Sequence, residues 1–284
     1  MPSFPIIDTH LHLWDPKKLR YPWLDNIPML NKSFLLGDYE VATKDLDVVK
    51  MVFVQCECEF AQCEEEVDLV TQFANIDKRI KGIVAWAPLE NGLAVKEVLD
   101  RYSENKLVKG VRRIIQFEAD PEFCLQKEFV QGVQLLAQYN YTFDICVSHS
   151  QLGNAIKLVQ LCPGVQFILD HIGKPDIKNQ LLDPWRSQIL QLSKFDNVCC
   201  KLSGLVTEAN HTEWKREELA SYLHYMLEYF TPDRLMFGGD WPVVLQAANY
   251  TDWVEILDWA LSSLSPTDLR KIYQKNAERV YSIN

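Results

Sequence analysis

No run of this 284-residue sequence stays apolar over the roughly 20 residues that a membrane-spanning helix needs. The first residues, Met1-Pro2-Ser3-Phe4-Pro5, have neither a basic start nor a long apolar core, so no secretory leader is expected there. A cytoplasmic protein is the corresponding expectation. Basic residues are in short supply, with 29 Lys and Arg against 39 Asp and Glu, a formal net charge of −10. An acidic surface repels phosphate backbones and anionic headgroups. That argues against nucleic acid and membrane partners and leaves a small-molecule substrate; assembly into a homo-oligomer stays open. Gly/Ser linkers, low-complexity segments and repeated motifs are absent, so nothing divides residues 1–284 into two domains. Zinc-ribbon spacing is missing too, because Cys56-x-Cys58 with Cys63 has no second ligand pair at zinc-site spacing. All eight cysteines, at 56, 58, 63, 124, 146, 162, 199 and 200, are read as reduced and buried small hydrophobes.

What the sequence does have is apolar residues, 48% of the total, and they come in short runs. Eight such runs recur: Ile6–His12, Met51–Glu57, Ile80–Trp86, Val108–Ile115, Thr142–Ser148, Gln166–Ile172, Val198–Gly204 and Leu235–Trp241. Each is followed by a stretch with helical spacing, such as Leu219, Tyr222, Leu223, Met226 and Phe230. Eight strands alternating with helices predict a parallel sheet, and near-continuous apolar strands predict burial on both faces. Closure into a single (β/α)8 TIM-type barrel follows, of about the usual 250-residue size. The last helix is expected to start at Ser265-Pro266-Thr267-Asp268, with an N-cap serine, a proline at the first position and an acidic third position. Leu13 to about Glu40 is too apolar for a disordered linker and is read as a packed loop over the barrel mouth.

Barrel enzymes place their chemistry at the carboxyl ends of strands. The first run ends Asp8-Thr9-His10-Leu11-His12, and strand alternation puts Asp8, His10 and His12 on one side. Two imidazoles there can grip a divalent metal or hold a substrate oxygen. The sixth run ends Asp170-His171; with His171 inward, alternation turns Asp170 outward toward the helices. The eighth ends Gly238-Gly239-Asp240-Trp241-Pro242, a carboxylate just beyond two glycines, suited to a general base or a metal ligand. Arg112 is favoured over Arg113 as the inward arginine of the fourth run, and Lys201 lies in an apolar strand where its ammonium needs an anion. Gln55 and Glu57 share a face of the second run, and Gln55 is taken as a substrate contact. His149 lies just past the fifth run, where it either reaches the site or caps a helix. His211 falls in a loop and His224 in mid-helix; both are read as non-catalytic. Trp14, Trp23 and Trp241 lie at or beyond strand ends, where one or two of them can stack on a sugar-like ring.

The pattern of His-x-His, a sixth-strand His and an eighth-strand Asp is that of the amidohydrolase superfamily. The strings Ile7-Asp8-Thr9-His10-Leu11-His12-Leu13-Trp14-Asp15, Tyr21-Pro22-Trp23-Leu24 and Lys109-Gly110-Val111-Arg112 resemble its amidohydrolase-2 type lactonases. So do Leu169-Asp170-His171-Ile172-Gly173-Lys174-Pro175, Lys201-Leu202-Ser203-Gly204 and Phe237-Gly238-Gly239-Asp240-Trp241-Pro242. Together they are similar to the sugar-lactone and dicarboxylate-lactone branch, and the likeness spans the whole chain.

The resemblance implies hydrolysis of a small, sugar-derived lactone. It makes Asp240 the base that activates water, while His10, His12 and His171 polarise the carbonyl directly or through a metal. Arg112 and Lys201 would hold substrate hydroxyls or a carboxylate. The fourth run offers no lysine placed to bridge two metals, which argues against a binuclear centre. The branch includes members with and without metal, so one divalent ion, zinc or manganese on His10, His12 and Asp240 with His149 as a further ligand, stands beside a metal-free site. Two other activities share parts of the pattern. A decarboxylase of the same superfamily would need His149 as a firm ligand. A TatD-type nuclease would want an acidic ligand on the fourth strand, where this chain has arginines. A barrel without activity is the remaining reading, and the four strand-end groups argue against it.

Overall fold

A computed structural model describes residues 2 and 4–283; Met1 and Ser3, part of the stretch read as lacking a leader, lie outside the described residues, as does Asn284. Eight parallel strands pair in chain order: β1 (Ile6–Leu11), β2 (Val48–Val54), β3 (Ile80–Ala85), β4 (Val108–Val111), β5 (Thr142–Ile145), β6 (Gln166–Leu169), β7 (Val198–Leu202) and β8 (Leu235–Phe237). Helices lie between them, and β8 returns to β1 through two backbone bonds. The His12 N–H donates to the Trp241 carbonyl and the Asp240 N–H to the His10 carbonyl, each at 2.8 Å. The architecture is a (β/α)8 barrel.

Two apolar layers follow from strand alternation. Ile7, Val52, Val54, Val84, Ile168, Cys199 and Met236 form one cluster inside the barrel, with Ala277, Tyr281 and Ile283 of the carboxyl-terminal segment packed into it. The opposite faces join the helices in a larger outer core. The last helical segment starts as its sequence dictates: the Ser265 hydroxyl accepts the Asp268 N–H at 3.1 Å, with Pro266 in the first turn. All eight cysteines are free and buried. Among the described residues no helix is long and apolar enough to cross a membrane.

Each apolar run outlasts its strand at the carboxyl end; the fourth, for example, reads to Ile115 while β4 stops at Val111. The surplus residues leave the ladder and supply the mouth of the barrel. The loop from Leu13 is packed: Trp14, Tyr21, Leu24 and Leu30 are buried, and the Trp14 indole N–H donates to the carbonyls of Lys32 (2.9 Å) and Leu30 (3.2 Å).

Candidate active site

His10 and His12 leave β1 at a break in its pairing with β2 between Asp8 and Leu11. That irregularity corrects simple alternation, because the Asp8 carboxylate does not join the two imidazoles at Asp240. Its carboxylate accepts the N–H groups of Gly239 (2.8 Å) and His10 (2.9 Å) and the hydroxyls of Tyr39 and Tyr250 (2.9 Å each). Asp8 therefore ties β1 to the end of β8. Gly239 makes the approach possible: a Cβ there would lie 2.6 Å from Asp8 Oδ2 and 2.3 Å from the Tyr250 ring.

The partners of the two imidazoles fix their tautomers. His12 Nδ1 lies 2.7 Å from the Val54 carbonyl, so it carries the hydrogen and leaves Nε2 bare. His10 Nδ1 faces the Asp170 carboxylate at 3.4 Å and its Nε2 accepts from the Arg112 guanidinium at 3.2 Å, so Nε2 carries no hydrogen. Both Nε2 atoms turn toward Asp240 Oδ1, at 3.6 Å from His12 and 3.8 Å from His10. Burial lowers the proton affinity of His10 and His12, and brings His171 down to about 4, so all three are neutral at pH 7. Burial alone would raise Asp240, but the surrounding imidazoles, His171 foremost, outweigh it and hold the carboxyl below the usual range.

The end of β6 departs furthest from expectation. His171, Ile172, Gly173 and Lys174 are all left-handed, with φ of 52°, 48°, 75° and 47°. Once the chain stops being extended, neighbouring side chains no longer alternate. Asp170 and His171 thus both face the interior, correcting the outward placement of Asp170. The Asp170 carboxylate lies 3.1 Å from Lys201 Nζ and 3.2 Å from the Arg112 guanidinium. His171 Nδ1 lies 2.9 Å from Ser203 Oγ. The room for its ring comes from Gly204 (φ 65°), where a Cβ would sit 2.4 Å from His171 Nδ1.

Above these groups opens a cavity of about 240 Å³, lined among others by His12, Trp14, Trp23, Glu57, Arg112, His171, Lys174 and Asp240. Arg112 donates to the Gln55 carbonyl (2.6 Å) and to His10 Nε2 (3.2 Å), while Arg113 turns away to Glu90 and Glu118. Several expected contacts lie elsewhere. Lys201 is fully buried beneath His10, between Asp144 (2.5 Å) and Asp170, because an ammonium on an inward strand position needs anions more than it needs a cavity. Gln55 lies behind the wall and touches two residues that line the cavity, Glu57 and Arg112. Trp241 packs against Phe34 and Tyr39. His149 opens the short helical turn His149–Gln151 and is neither in the cavity lining nor in any group at metal-binding distance among the described residues, which takes away the ligand the decarboxylase reading needed. His211 lines the cavity with Nε2 3.0 Å from the Thr207 carbonyl. His224 reaches only the Ala260 carbonyl at 3.3 Å.

The sequence reading gives Asp144 and Lys174 no role, turns Asp170 outward, and places Glu57 beside Gln55 without a role. Asp144 had a usable signal: it pairs with the inward Ile168 across β5 and β6, and the buried Lys201 required such a partner. The inward turn of Asp170 had none, since it depends on the left-handed backbone that follows.

The amidohydrolase family's sequence model matches residues 7–283. The chain belongs to the amidohydrolase family. It is 30% identical to an L-fucono-1,5-lactonase of Burkholderia multivorans over 98% of this chain and 96% of that one, and 25% identical to an L-fucono-1,5-lactonase of Burkholderia ambifaria over 98% and 96%. A crystal structure of a Burkholderia multivorans amidohydrolase with bound zinc superposes with a TM-score of 0.89 at 28% identity, covering 99% of this chain and all of that one.

The donors in this family member suit a cation. His10, His12 and Asp240 each offer a ligand atom, all within 4.8 Å of one another. Two imidazole nitrogens that carry no hydrogen and a carboxylate oxygen converge there, and the His10 nitrogen also accepts from the Arg112 guanidinium at 3.2 Å. Two nitrogens with one oxygen suit zinc or manganese.

Proposed function

We propose that this chain hydrolyses a small neutral lactone derived from a sugar, with Asp240 taking the proton from the attacking water. The observation that carries the reading is the approach of His10 and His12 to Asp240 Oδ1, at 3.8 and 3.6 Å, where His12 and Asp240 line the cavity and His10 lies buried behind them. The fucono-lactonase relatives agree with it in reaction and substrate class.

Asp240 is ionised at neutral pH and can act as a base. Its Oδ1 faces the imidazoles, and among the described residues no protein donor reaches Oδ2, which is left for a water proton. Arg112, held by Asp170 and the Gln55 carbonyl, presents fixed positive charge to the carbonyl oxygen as it becomes an oxyanion. His171 stands beside it at the wall, neutral and oriented by Ser203. The proton taken by Asp240 then passes to the ring oxygen as the C–O bond breaks. A zinc or manganese ion on His10, His12 and Asp240 would add Lewis-acid polarisation of the carbonyl.

Charge on the wall favours a neutral ring over a dicarboxylate lactone. The cavity cations Arg112 and Lys174 are each paired with an anion, Asp170 at 3.2 Å and Glu208 at 3.3 Å. Glu57, Glu208 and Asp240 further disfavour an anionic substrate. A pH-indicator screen of aldonolactones and muconolactone-type acids, with and without chelator, tests the proposal. Turnover of aldonolactones above the acidic lactones is expected. Failure on every lactone would end it.

A further inference from the structure

Glu57 lines the same cavity as Asp240, and its surroundings are built to hold it there. Gln55 is fully buried and grips it twice: Gln55 Nε2 donates to Glu57 Oε1 and Gln55 Oε1 accepts the Glu57 N–H, both at 2.6 Å. The backbone of Glu57 is left-handed, φ 51°, a conformation that side chains larger than glycine keep only where neighbours enforce it. Neighbours on both sides of the preceding residue do so. The Trp23 indole donates to the Cys56 carbonyl at 2.8 Å, and the Cys56 N–H reaches the buried Glu66 carboxylate at 3.2 Å. Among the described residues no cation forms an ion pair with Glu57, and its Oε2 accepts no hydrogen bond from the protein.

The geometry points to Glu57 as a specificity residue that accepts hydroxyl hydrogens of a polyhydroxylated lactone, with Gln55 as the residue that positions it. The inference rests on the lactonase reading and deepens it. An acceptor-only carboxylate is matched by O–H donors and repels a substrate carboxylate. Hydrogen bonds to a charged acceptor are among the strong ones. Trp23, partly exposed at the same cavity, offers apolar surface to the C–H edges of a sugar ring.

The test compares Glu57→Ala and Glu57→Gln on a 1,5-aldonolactone and on δ-valerolactone, the same ring without hydroxyls. Calorimetry adds the binding of a 1,5-anhydroalditol, which keeps the hydroxyls and has no ester. Glu57→Ala is expected to lower kcat/KM for the aldonolactone by about 10- to 100-fold, mainly through KM, and for δ-valerolactone by no more than about threefold. Glu57→Gln should fall between, and Gln55→Leu should raise KM in the same direction. Glu57→Ala should also abolish anhydroalditol binding. Equal losses on both lactones, carried by kcat, would overturn the proposal. So would anhydroalditol binding that is absent in the unmodified protein or unchanged in Glu57→Ala; if aldonolactones are still turned over, the lactonase reading survives that result. Inert lactones, together with anhydroalditol binding that depends on Glu57, would keep the hydroxyl-binding role and end the lactonase reading instead.

Discussion

The same eight strands build two interiors of opposite character. One part of the barrel interior is filled by Ile7, Val52, Val84, Ile168, Cys199 and Met236. The other, which meets it where Asp144 pairs with Ile168 and Lys201 with Met236, holds Asp144, Asp170, Lys201, Arg112, His10 and Asp240, all nearly or fully buried. The first half gains from removing apolar surface from water, a graded and forgiving term. The second is all-or-none, since each charge is tolerable only while its partners are in place. A single strand can contribute to both: Cys199 packs in the apolar cluster and Lys201, two residues on, holds the charged one. The comparison teaches that site geometry is fixed from below, by a charge stack under His10, as much as by the loops above it.

The contrast breaks most sharply at Asp240. Asp240→Asn keeps the shape but removes the base, and should lower kcat/KM for the best lactone by about 100- to 10,000-fold. Circular dichroism and thermal melting should show the fold intact. Near-normal turnover would remove Asp240 from the mechanism.

Lys201 tests the stability side. Lys201→Met leaves Asp144 and Asp170 sharing a buried space without their ammonium, and should cost about 3–5 kcal/mol in denaturant unfolding. In the apolar half, Ile168→Ala should cost about 2–4 kcal/mol through the cavity it leaves. The two losses differ in how they can be repaired. Adding Asp144→Leu to Lys201→Met removes one stranded charge and should recover part of the stability, while Asp170 keeps Arg112. A double variant no more stable than Lys201→Met would show that the charges below His10 are not coupled in this way.

Acid should find the charged half first. His171 titrates near 4 in the folded protein, against about 6.5 when unfolded. Between those values the unfolded chain binds the proton and the folded chain does not, so stability is full above about pH 6.5 and falls as the pH drops toward 4. The shift corresponds to about 3 kcal/mol, and Asp240, held below the usual carboxylate range, adds a loss of the same sign at lower pH. Chemical denaturation across pH 8 to 4 reads this directly, and His171→Gln should flatten the slope. An unaltered slope would mean that His171 is not buried and neutral.

The apolar half was legible in the sequence because it obeys simple periods. Eight apolar runs correspond to eight strands, and in the folded barrel Ile7, Val52 and Ile168 meet in one cluster. The charged half was legible only in its residue types. His10, His12, His171 and Asp240 stand at strand ends, where a barrel displays its reactive groups. Their neighbours resisted reading because the backbone there stops alternating. The irregularity after Asp8 and the left-handed run from His171 to Lys174 each reverse a facing that strand periodicity would assign. Lys201 failed for another reason: its position was correct, but its need for anions was met inside the barrel rather than by substrate.

His149 gives the smallest and most selective test. A histidine just past β5 has the right chain position for a metal ligand, yet it opens a turn whose capping serine, Ser148, binds Gln151 and Ser150. Removing it leaves His10, His12 and Asp240 as they are. His149→Ala is therefore expected to change kcat/KM by less than about twofold and to leave metal content, measured on the purified protein, the same. If the purified protein carries a metal, His12→Ala should lose it under the same conditions, because it takes away one of three candidate donors. Were His149→Ala to release the metal as His12→Ala does, the loop after β5 would have to close over the site in solution. The separation of the loop after β5 from the charged part of the barrel would then fail at that point.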